Sequence, residues 1–393
     1  MSIEMESKRI AIMTGTRADW GLLSPIAADL SRRDGITVDI IATNMHLSDR
    51  YGHTVDEIRA DGFNPVELPI ETDDDTPRGK LRAMAQCQQG VAEILESLGT
   101  DLVVILGDRF EMLAAATAAL MMRVPVVHIA GGEISEGAID DSIRHAITKM
   151  SSLHLTACET YRRRVIAMGE SPDRVINTGA IGVYNLLNGE PMTAAELSES
   201  IGFTVDNSTL LVTYHPATLD VNSAASLFGN LLDALDRFPA LKVLFTYPNN
   251  DAGGRTIIPM IEEYVSRNPG RAFAVPSLGR RRYLSALKTV AAVAGNSSSG
   301  IVEVPSAGIP TVDIGIRQQG RLRSDSVIHA LDSADSIAEA IAKALSPEMR
   351  AVAATAPNPY CGPDTLKRIT DSITSADPAE LKMKKFYDIS PLS

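Results

Sequence analysis

Short runs of β-branched and aliphatic residues alternate with amphipathic stretches along nearly the whole chain, and this alternation predicts the fold. Lys8–Thr14 (KRIAIMT) reads as a buried strand, followed by GTRADWG and a helix from about Leu22 to Ser31. Further strands are predicted at Thr37–Ala42, Val66–Pro69, Asp101–Leu106, Val124–Val127, Leu153–Thr156 and Val175–Thr178. Helical patterns fall near Val55–Ala60, Leu81–Leu98, Glu111–Met122, Asp140–Met150 and Arg162–Met168. Strands that read as continuous apolar runs are buried on both faces, as in a parallel sheet. Ala180–Pro191 carries Gly182, Asn188, Gly189 and Pro191 and reads as a linker. Beyond it the alternation restarts, with strands at Thr209–Thr213, Lys242–Thr246, Ala272–Val275, Val290–Ala294 and Thr311–Ile314. Strands spaced by helices make βαβ units. The expected fold is therefore α/β, with two Rossmann-like doubly wound domains facing a cleft, residues 1–186 and 187–363. A last helix near Asp364–Ile373 and the tail to residue 393 are expected to pack back onto the first domain.

Composition narrows the partners. A chain of 393 residues is too long for one compact core and long enough for two. Hydrophobic residues make up 45% and charged ones 22%, so a folded globular protein is expected. The formal net charge is −12 and no basic stripe with interleaved aromatics occurs, which argues against nucleic acid. An anionic ligand would need a local basic pocket. Cys87, Cys158 and Cys361 form no CxxC pair, and a reducing cytoplasm is the expected setting. The N-terminal MSIEMESKR lacks a signal-peptide core, and the longest apolar run, Leu113–Met122, is far short of a membrane span. No membrane partner is expected.

Candidate chemistry gathers at predicted strand C-termini, where open α/β sheets bind their ligands. Arg17 and Asp19 follow the first strand, and Asp108 and Arg109 follow DLVVIL. After Val124–Val127 come Gly131-Gly132, Glu133 and Glu136, then a helix opened by Asp140 and Asp141. On that helix Ile143, Ala146, Ile147 and Met150 share one face, and Arg144 and His145 lie one turn beyond the two carboxylates. His128, inside an apolar strand, reads as a core histidine, whereas His215, in YHPAT at a strand end, reads as a ligand contact. GNSSSG, Gly295–Gly300, is the phosphate candidate: small residues permit close approach, and Ser297, Ser298 and Ser299 can donate near a helix start. Glu303 lies one turn on, placed to accept from a ribose diol, and Arg317 follows the next strand. Neither GxGxxG nor a P-loop occurs, and Asp73–Asp75 reads as a solvated acidic loop. The residues alone thus point to a nucleotide-like phosphorylated ligand, handled with neither metal nor cofactor.

At these positions the chain resembles the hydrolysing UDP-N-acetylglucosamine 2-epimerase family. The matching pieces are GTRADWGLLSPI, LGDRFE, GGEISEGAIDDSIRHAITK, HPAT, YPNNDAG, GNSSSGIVEV and IGIRQQGR, in family order from Gly15 to beyond Arg321. FYD near the C-terminus also looks like the bacterial members. The resemblance implies a glycosyltransferase-B-like fold with a UDP-sugar between the domains. It places Arg17, Asp19, Arg109 and Asn249 on the ligand, Ser297–Gly300 on the diphosphate, Glu303 on the ribose, and Arg317 and His215 beside the phosphates. Asp108, Glu133 and Asp140 become the catalytic carboxylates, joined by His215. Ala130 stands where many members carry Glu.

The implied reaction eliminates UDP to 2-acetamidoglucal and then adds water with inversion at C2, giving N-acetylmannosamine, a precursor of sialic acid, from UDP-N-acetylglucosamine. Two alternatives stay open: a UDP-2,4-diacetamido-2,4,6-trideoxy sugar as substrate, and a non-catalytic UDP-sugar sensor. By the same resemblance the protein would be a homodimer or homotetramer.

Overall fold

A computed structural model describes residues 7–49, 52–74, 76–136, 139–216, 224–248 and 254–389. Seven strands come first: β1 (Lys8–Thr14), β2 (Ile36–Thr43), β3 (Val66–Leu68), β4 (Leu102–Leu106), β5 (Val126–Ile129), β6 (Leu153–Thr156) and β7 (Val175–Asn177). Six follow: β8 (Thr209–Thr213), β9 (Lys242–Thr246), β10 (Ala272–Val275), β11 (Ala292–Gly295), β12 (Thr311–Ile314) and β13 (Val327–Ala330). They form two sheets, ordered β3-β2-β1-β4-β5-β6-β7 and β10-β9-β8-β11-β12-β13. Each pairing between neighbours is parallel. The strand order reverses between β1 and β4 and again between β8 and β11, so each sheet is doubly wound. A doubly wound parallel order carries its crossover helices on both faces and leaves a crevice at the switch point.

The described residues fall into two compact units. The first holds the chain up to Glu133, Asp140–Ile181 and the residues from Gly362 on. The second holds Gly182–Cys361, together with Ile134, Ser135, Glu136 and Ile139. The segment read as a linker contains the boundary between the units, at Ile181 and Gly182, and is largely a helix, Ile181–Asn188, that buries Ile181, Val183 and Leu186. Gly182 within it marks a close approach: a Cβ there would lie 2.2 Å from Glu303 Oε1. Glycine signals a loop in sequence, but here it makes room for a carboxylate.

The first helix starts at Arg17, ahead of the predicted Leu22, because the Thr16 side chain caps it by accepting from Asp19 N. The helix expected after the GNSSSG stretch is one α turn, Ser299–Val302, followed by a 3₁₀ turn, Val304–Ala307. Pro305 lacks the N–H that a continuing α-helix needs. Strand β13 and the helices Ala334–Leu345 and Pro347–Thr355 complete the second unit beyond what the pattern predicts.

In the first unit the helix Thr365–Ser375 and the tail after it are tied back to the opening elements. Arg33 donates to Asp371 Oδ1 at 2.8 Å, and Lys8 Nζ to Thr374 O at 2.7 Å. Further along, Tyr387 N donates to Gly169 O at 3.0 Å, and Phe386 packs where a Cβ on Gly169 would stand. Among the described residues no helix is long and apolar enough to cross a membrane, and no group of His, Cys, Asp and Glu could hold a metal ion.

Candidate active site

In the first unit the candidate side chains arrive from the C-terminal ends of β1, β2, β4 and β5. After β1, Gly15 N donates to Asp19 Oδ2 at 3.3 Å, and Arg17 Nη1 lies 3.4 Å from Glu57 Oε1. Burial, aided by the negative charge of Glu111 and opposed by Arg109, pushes the Asp19 carboxyl up to about 6. After β4, Arg109 Nε donates to Glu111 Oε1 at 2.6 Å, and Asn44 Nδ2 from the end of β2 donates to the same oxygen at 3.0 Å. Glu111 is fully buried, and a Cβ on Gly15 would stand 2.3 Å from its Oε1. In the sequence Glu111 is inconspicuous, since it sits in the first turn of the helix Phe110–Met121, where acidic residues are routine. Its position inside LGDRFE was the available signal.

At the end of β5, His128 Nε2 meets Gly107 O at 2.8 Å, and Nδ1 lies 3.2 Å from Thr148 Oγ1. Burial drives its pKa down to about 3, so it is a neutral core histidine, as its apolar strand suggested. Ala130 follows with φ of 65°, a left-handed conformation that costs a residue with a Cβ about 1 kcal/mol or more. This turn aims Ala130 O at Arg144 Nη1, 2.7 Å away. Arg144 also donates to Asp108 Oδ2 and lies 3.7 Å from Glu133 Oε2.

A guanidinium only 4% exposed therefore gathers two of the three proposed carboxylates, one from β4 and one from β5. A buried cation requires negative charge nearby, and Asp108 and Glu133 meet that requirement for Arg144. Asp140 opens the helix Ile139–Met150 one turn before Arg144, and Asp141 pairs with His145 at 3.6 Å. Arg144 was noticed in the sequence only as a charge on this helix; its role as the hub depends on three-dimensional contacts.

In the second unit the site forms at the ends of β8, β11 and β12. Gly295 closes β11 with φ of 136°, and a Cβ there would fall 1.9 Å from Thr213 O on β8. Gly295→Ala is expected to cost roughly 3 kcal/mol or more of stability, because neither backbone can yield inside the sheet. A melting temperature within a degree or two of the wild type would refute this.

The next residue, Asn296, clasps the His215 peptide: His215 N donates to Oδ1 and Nδ2 donates to His215 O, both at 2.7 Å. Arg317 Nη1 and Gln318 Nε2 both donate to Asn296 O, at 3.1 and 2.9 Å. Ser297, Ser298 and Ser299 form the turn that follows, and Ser299 Oγ is hydrogen-bonded to Tyr283 OH. Burial raises the Tyr283 pKa, so its hydroxyl stays neutral. Gly300 packs on Thr311, whose hydroxyl donates to Gly300 O at 2.8 Å. Because the helix after this turn is a single α turn, its dipole adds little; any anion here would rely on N–H and hydroxyl donors.

Glu303 packs against Gly182, as described above. Asn249, with Ala217 and Thr218 of HPAT, lies outside the described residues. In the second unit Asn296 thus ties His215 and Arg317 into one hydrogen-bonded group at the start of the Ser-rich turn.

Comparison with known proteins follows the same lines. The sequence model of the UDP-N-acetylglucosamine 2-epimerase family matches residues 28–374. The chain is 37% identical over 334 residues to the GDP/UDP-N,N'-diacetylbacillosamine 2-epimerase (hydrolyzing) of Campylobacter jejuni, covering 84% of this chain and 87% of that one. It is 32% identical to the UDP-N-acetylglucosamine 2-epimerase of Neisseria meningitidis serogroup B, over 86% and 88% of the two chains. The solved structure of a Neisseria meningitidis UDP-GlcNAc 2-epimerase bound to UDP-GlcNAc superposes with a TM-score of 0.79 at 17% identity, over 94% of this chain and all (100%) of that one. That likeness shows the glycosyltransferase-B-like fold. The chain belongs to the UDP-N-acetylglucosamine 2-epimerase family, among its hydrolysing UDP-sugar 2-epimerases.

Proposed function

We propose that the protein converts UDP-N,N'-diacetylbacillosamine, a UDP-2,4-diacetamido-2,4,6-trideoxy sugar, into UDP and the free 2-epimeric sugar. The observation that carries the chemistry is the pair of carboxylates, Asp108 and Glu133, gathered on buried Arg144 at a sheet edge. The choice of sugar rests on identity, 37% to the Campylobacter enzyme against 32% to the Neisseria one. The latter supports a second reading, UDP-N-acetylglucosamine hydrolysed to N-acetylmannosamine, which the sequence alone had favoured.

The reaction has two steps. In the first, the C1–O bond breaks, its electron pair leaves with UDP, and the C2 proton passes to a carboxylate as the C1=C2 bond forms. A C2 proton is too weakly acidic for a carboxylate to remove from the neutral sugar. Departure of UDP must run ahead, building positive charge at C1 that acidifies C2–H. Arg317, His215 and the donors of the Ser297–Gly300 turn would stabilise the leaving diphosphate. In the second step a proton is delivered to C2 from the opposite face, and water adds at C1 while losing its proton. Asp108, Glu133 and Asp140 supply the acids and bases, each proton transfer being worth about 10²–10⁴ in rate. Arg17, Asp19, Arg109, Asn249 and Glu303 complete the substrate contacts in this reading.

NMR of both UDP-sugars incubated with enzyme in deuterated water tests the proposal. Free 2-epimer carrying deuterium at C2, plus UDP, from the diacetamido substrate at the higher kcat/KM is the expected result. Higher kcat/KM on UDP-N-acetylglucosamine selects the second reading. A 2-epimer still attached to UDP would indicate non-hydrolysing chemistry, and binding without UDP release a sensor.

We also propose a homo-oligomer in solution. Supporting this, Leu81, Leu120 and Met121 are exposed, and a cavity of about 340 Å³ lined by Ala85, Gln88, Gln89, Ala92, Ala118 and Met121 opens on the helices Pro77–Leu98 and Phe110–Met121. A monomeric mass by light scattering would exclude it.

A further inference from the structure

Asn296 is 2% exposed, yet it carries no charge and lies in none of the roles assigned above. Its side chain closes a two-bond ring with the peptide of His215, as a neighbouring strand would: one amide donor, one carbonyl acceptor, both at 2.7 Å. Its own backbone is used as fully. Asn296 N donates to Thr213 O at 3.2 Å, and Asn296 O accepts from both Arg317 and Gln318. Three loops, after β8, β11 and β12, therefore meet at one residue.

Only Asn fits this position. Asp keeps an acceptor for His215 N but sets a second, charged acceptor against His215 O. Ser and Ala are too short to span to the peptide, and Gln adds a methylene where the two bonds fix the length. Gln318, also buried, spends its amide on Asn296 O, while its Oε1 has no hydrogen-bond partner among the described residues. The group is built around what Asn296 can offer.

We propose that Asn296 is a positioning residue that locks the His215 loop and the Arg317 loop together, so that the two act on the diphosphate as one unit. This rests on the reading above, in which His215 and Arg317 bear on the phosphates. A strut that served only folding would leave the two residues independent of each other in binding. A positioning residue makes their contributions depend on one another, because moving one loop moves the other.

The test is a set of mutant cycles read by calorimetric UDP affinity. In the wild-type background, His215→Ala and Arg317→Ala are expected to be non-additive by a factor of about 3 or more, the scale seen for directly coupled residues. In an Asn296→Ser background the two changes should become additive within a factor of about 1.5, with UDP affinity itself lower by about 10-fold or more. Asn296→Asp, which keeps one of the two side-chain bonds, serves if the Ser variant does not fold, and should abolish the coupling in the same way.

Persistent coupling in either folded variant, or wild-type UDP affinity in it, overturns the proposal while leaving the proposed function intact. Loss of folding in both variants makes Asn296 a strut and overturns it as well. If the wild-type chain does not bind UDP, the functional reading and this inference fall together.

Discussion

Asp108→Asn is expected to lower turnover by at least about 100-fold while UDP affinity changes by less than about two-fold. The substitution keeps the size and shape of the side chain, and an amide oxygen can still accept the bond that Asp108 Oδ2 takes from Arg144 Nη2. What it removes is the capacity to take up and release a proton. If Asp108 is one of the proton carriers of the elimination and hydration steps, that capacity is the catalysis. UDP affinity is set in the proposal by the second unit, so it should be spared. Single-turnover rates at saturating UDP-sugar, alongside calorimetry with UDP, measure both halves. A variant turning over within a few-fold of wild type would remove Asp108 from the mechanism. A variant that lost UDP affinity in parallel would make it a binding residue instead.

The second large effect is on stability. Glu170 is 3% exposed and its carboxylate meets three cationic or protonatable groups: Lys149 Nζ, His154 Nε2 at 3.0 Å and Lys384 Nζ at 2.8 Å. Lys384 also donates to Lys149 O and Ser151 O at 2.7 Å, so Glu170 anchors the C-terminal tail. Phe386, two residues on, lies over Lys149 at 5.0 Å. Glu170→Ala leaves the two lysines close to each other without their shared counter-charge. The expected loss is about 3–5 kcal/mol, the usual consequence of removing one partner from a buried ionic group.

A pH dependence follows from the same contacts. Burial pushes the Glu170 carboxyl up, but hydrogen bonds from His154, Lys149 and Lys384 outweigh it and bring the pKa down to about 2, from an ordinary 4.5. The folded state thus binds this proton more weakly than the unfolded chain. Its stabilisation is complete above pH 4.5 and is lost as the pH falls through 4.5 towards 2. Burial also lowers the His154 pKa, which adds acid destabilisation below the ordinary histidine value of 6.5. Urea unfolding at pH 7 and pH 3.5 should therefore show a gap between wild type and Glu170→Ala that narrows in acid. Equal midpoints at pH 7 would refute the assigned role.

The parts of this protein legible in its sequence are those set by local pattern. Among the described residues, twelve of the thirteen strands can be read from runs rich in apolar residues, most plainly the central ones, since a parallel strand buried on both faces must be apolar at nearly every position. The exception, Val327–Ala330, is an edge strand only four residues long in which the exposed His329 breaks the apolar run. Candidate site residues at strand ends stand out for a related reason: doubly wound sheets put loops there, and charged residues after an apolar run are conspicuous. Asp108, Glu133, His215 and Arg317 are the candidates that this pattern singles out.

What the pattern could not show is which of these residues meet. Arg144 looks like one more charge on an amphipathic helix, Glu111 like an acid in a first helical turn, and Asn296 like the opening of a flexible Ser-rich turn. Gly182 looks like part of a linker and lies against Glu303. Each gains its role from a partner 14 to 121 positions away along the chain, Ala130 for Arg144, Asn44 for Glu111, His215 for Asn296 and Glu303 for Gly182. Sequence alone determined the fold class and the sheet edges where chemistry could lie, since burial and chain direction act residue by residue. Only the tertiary structure decided the pairings, because a hydrogen bond between distant residues depends on where the backbone brings them, and no local spacing encodes that.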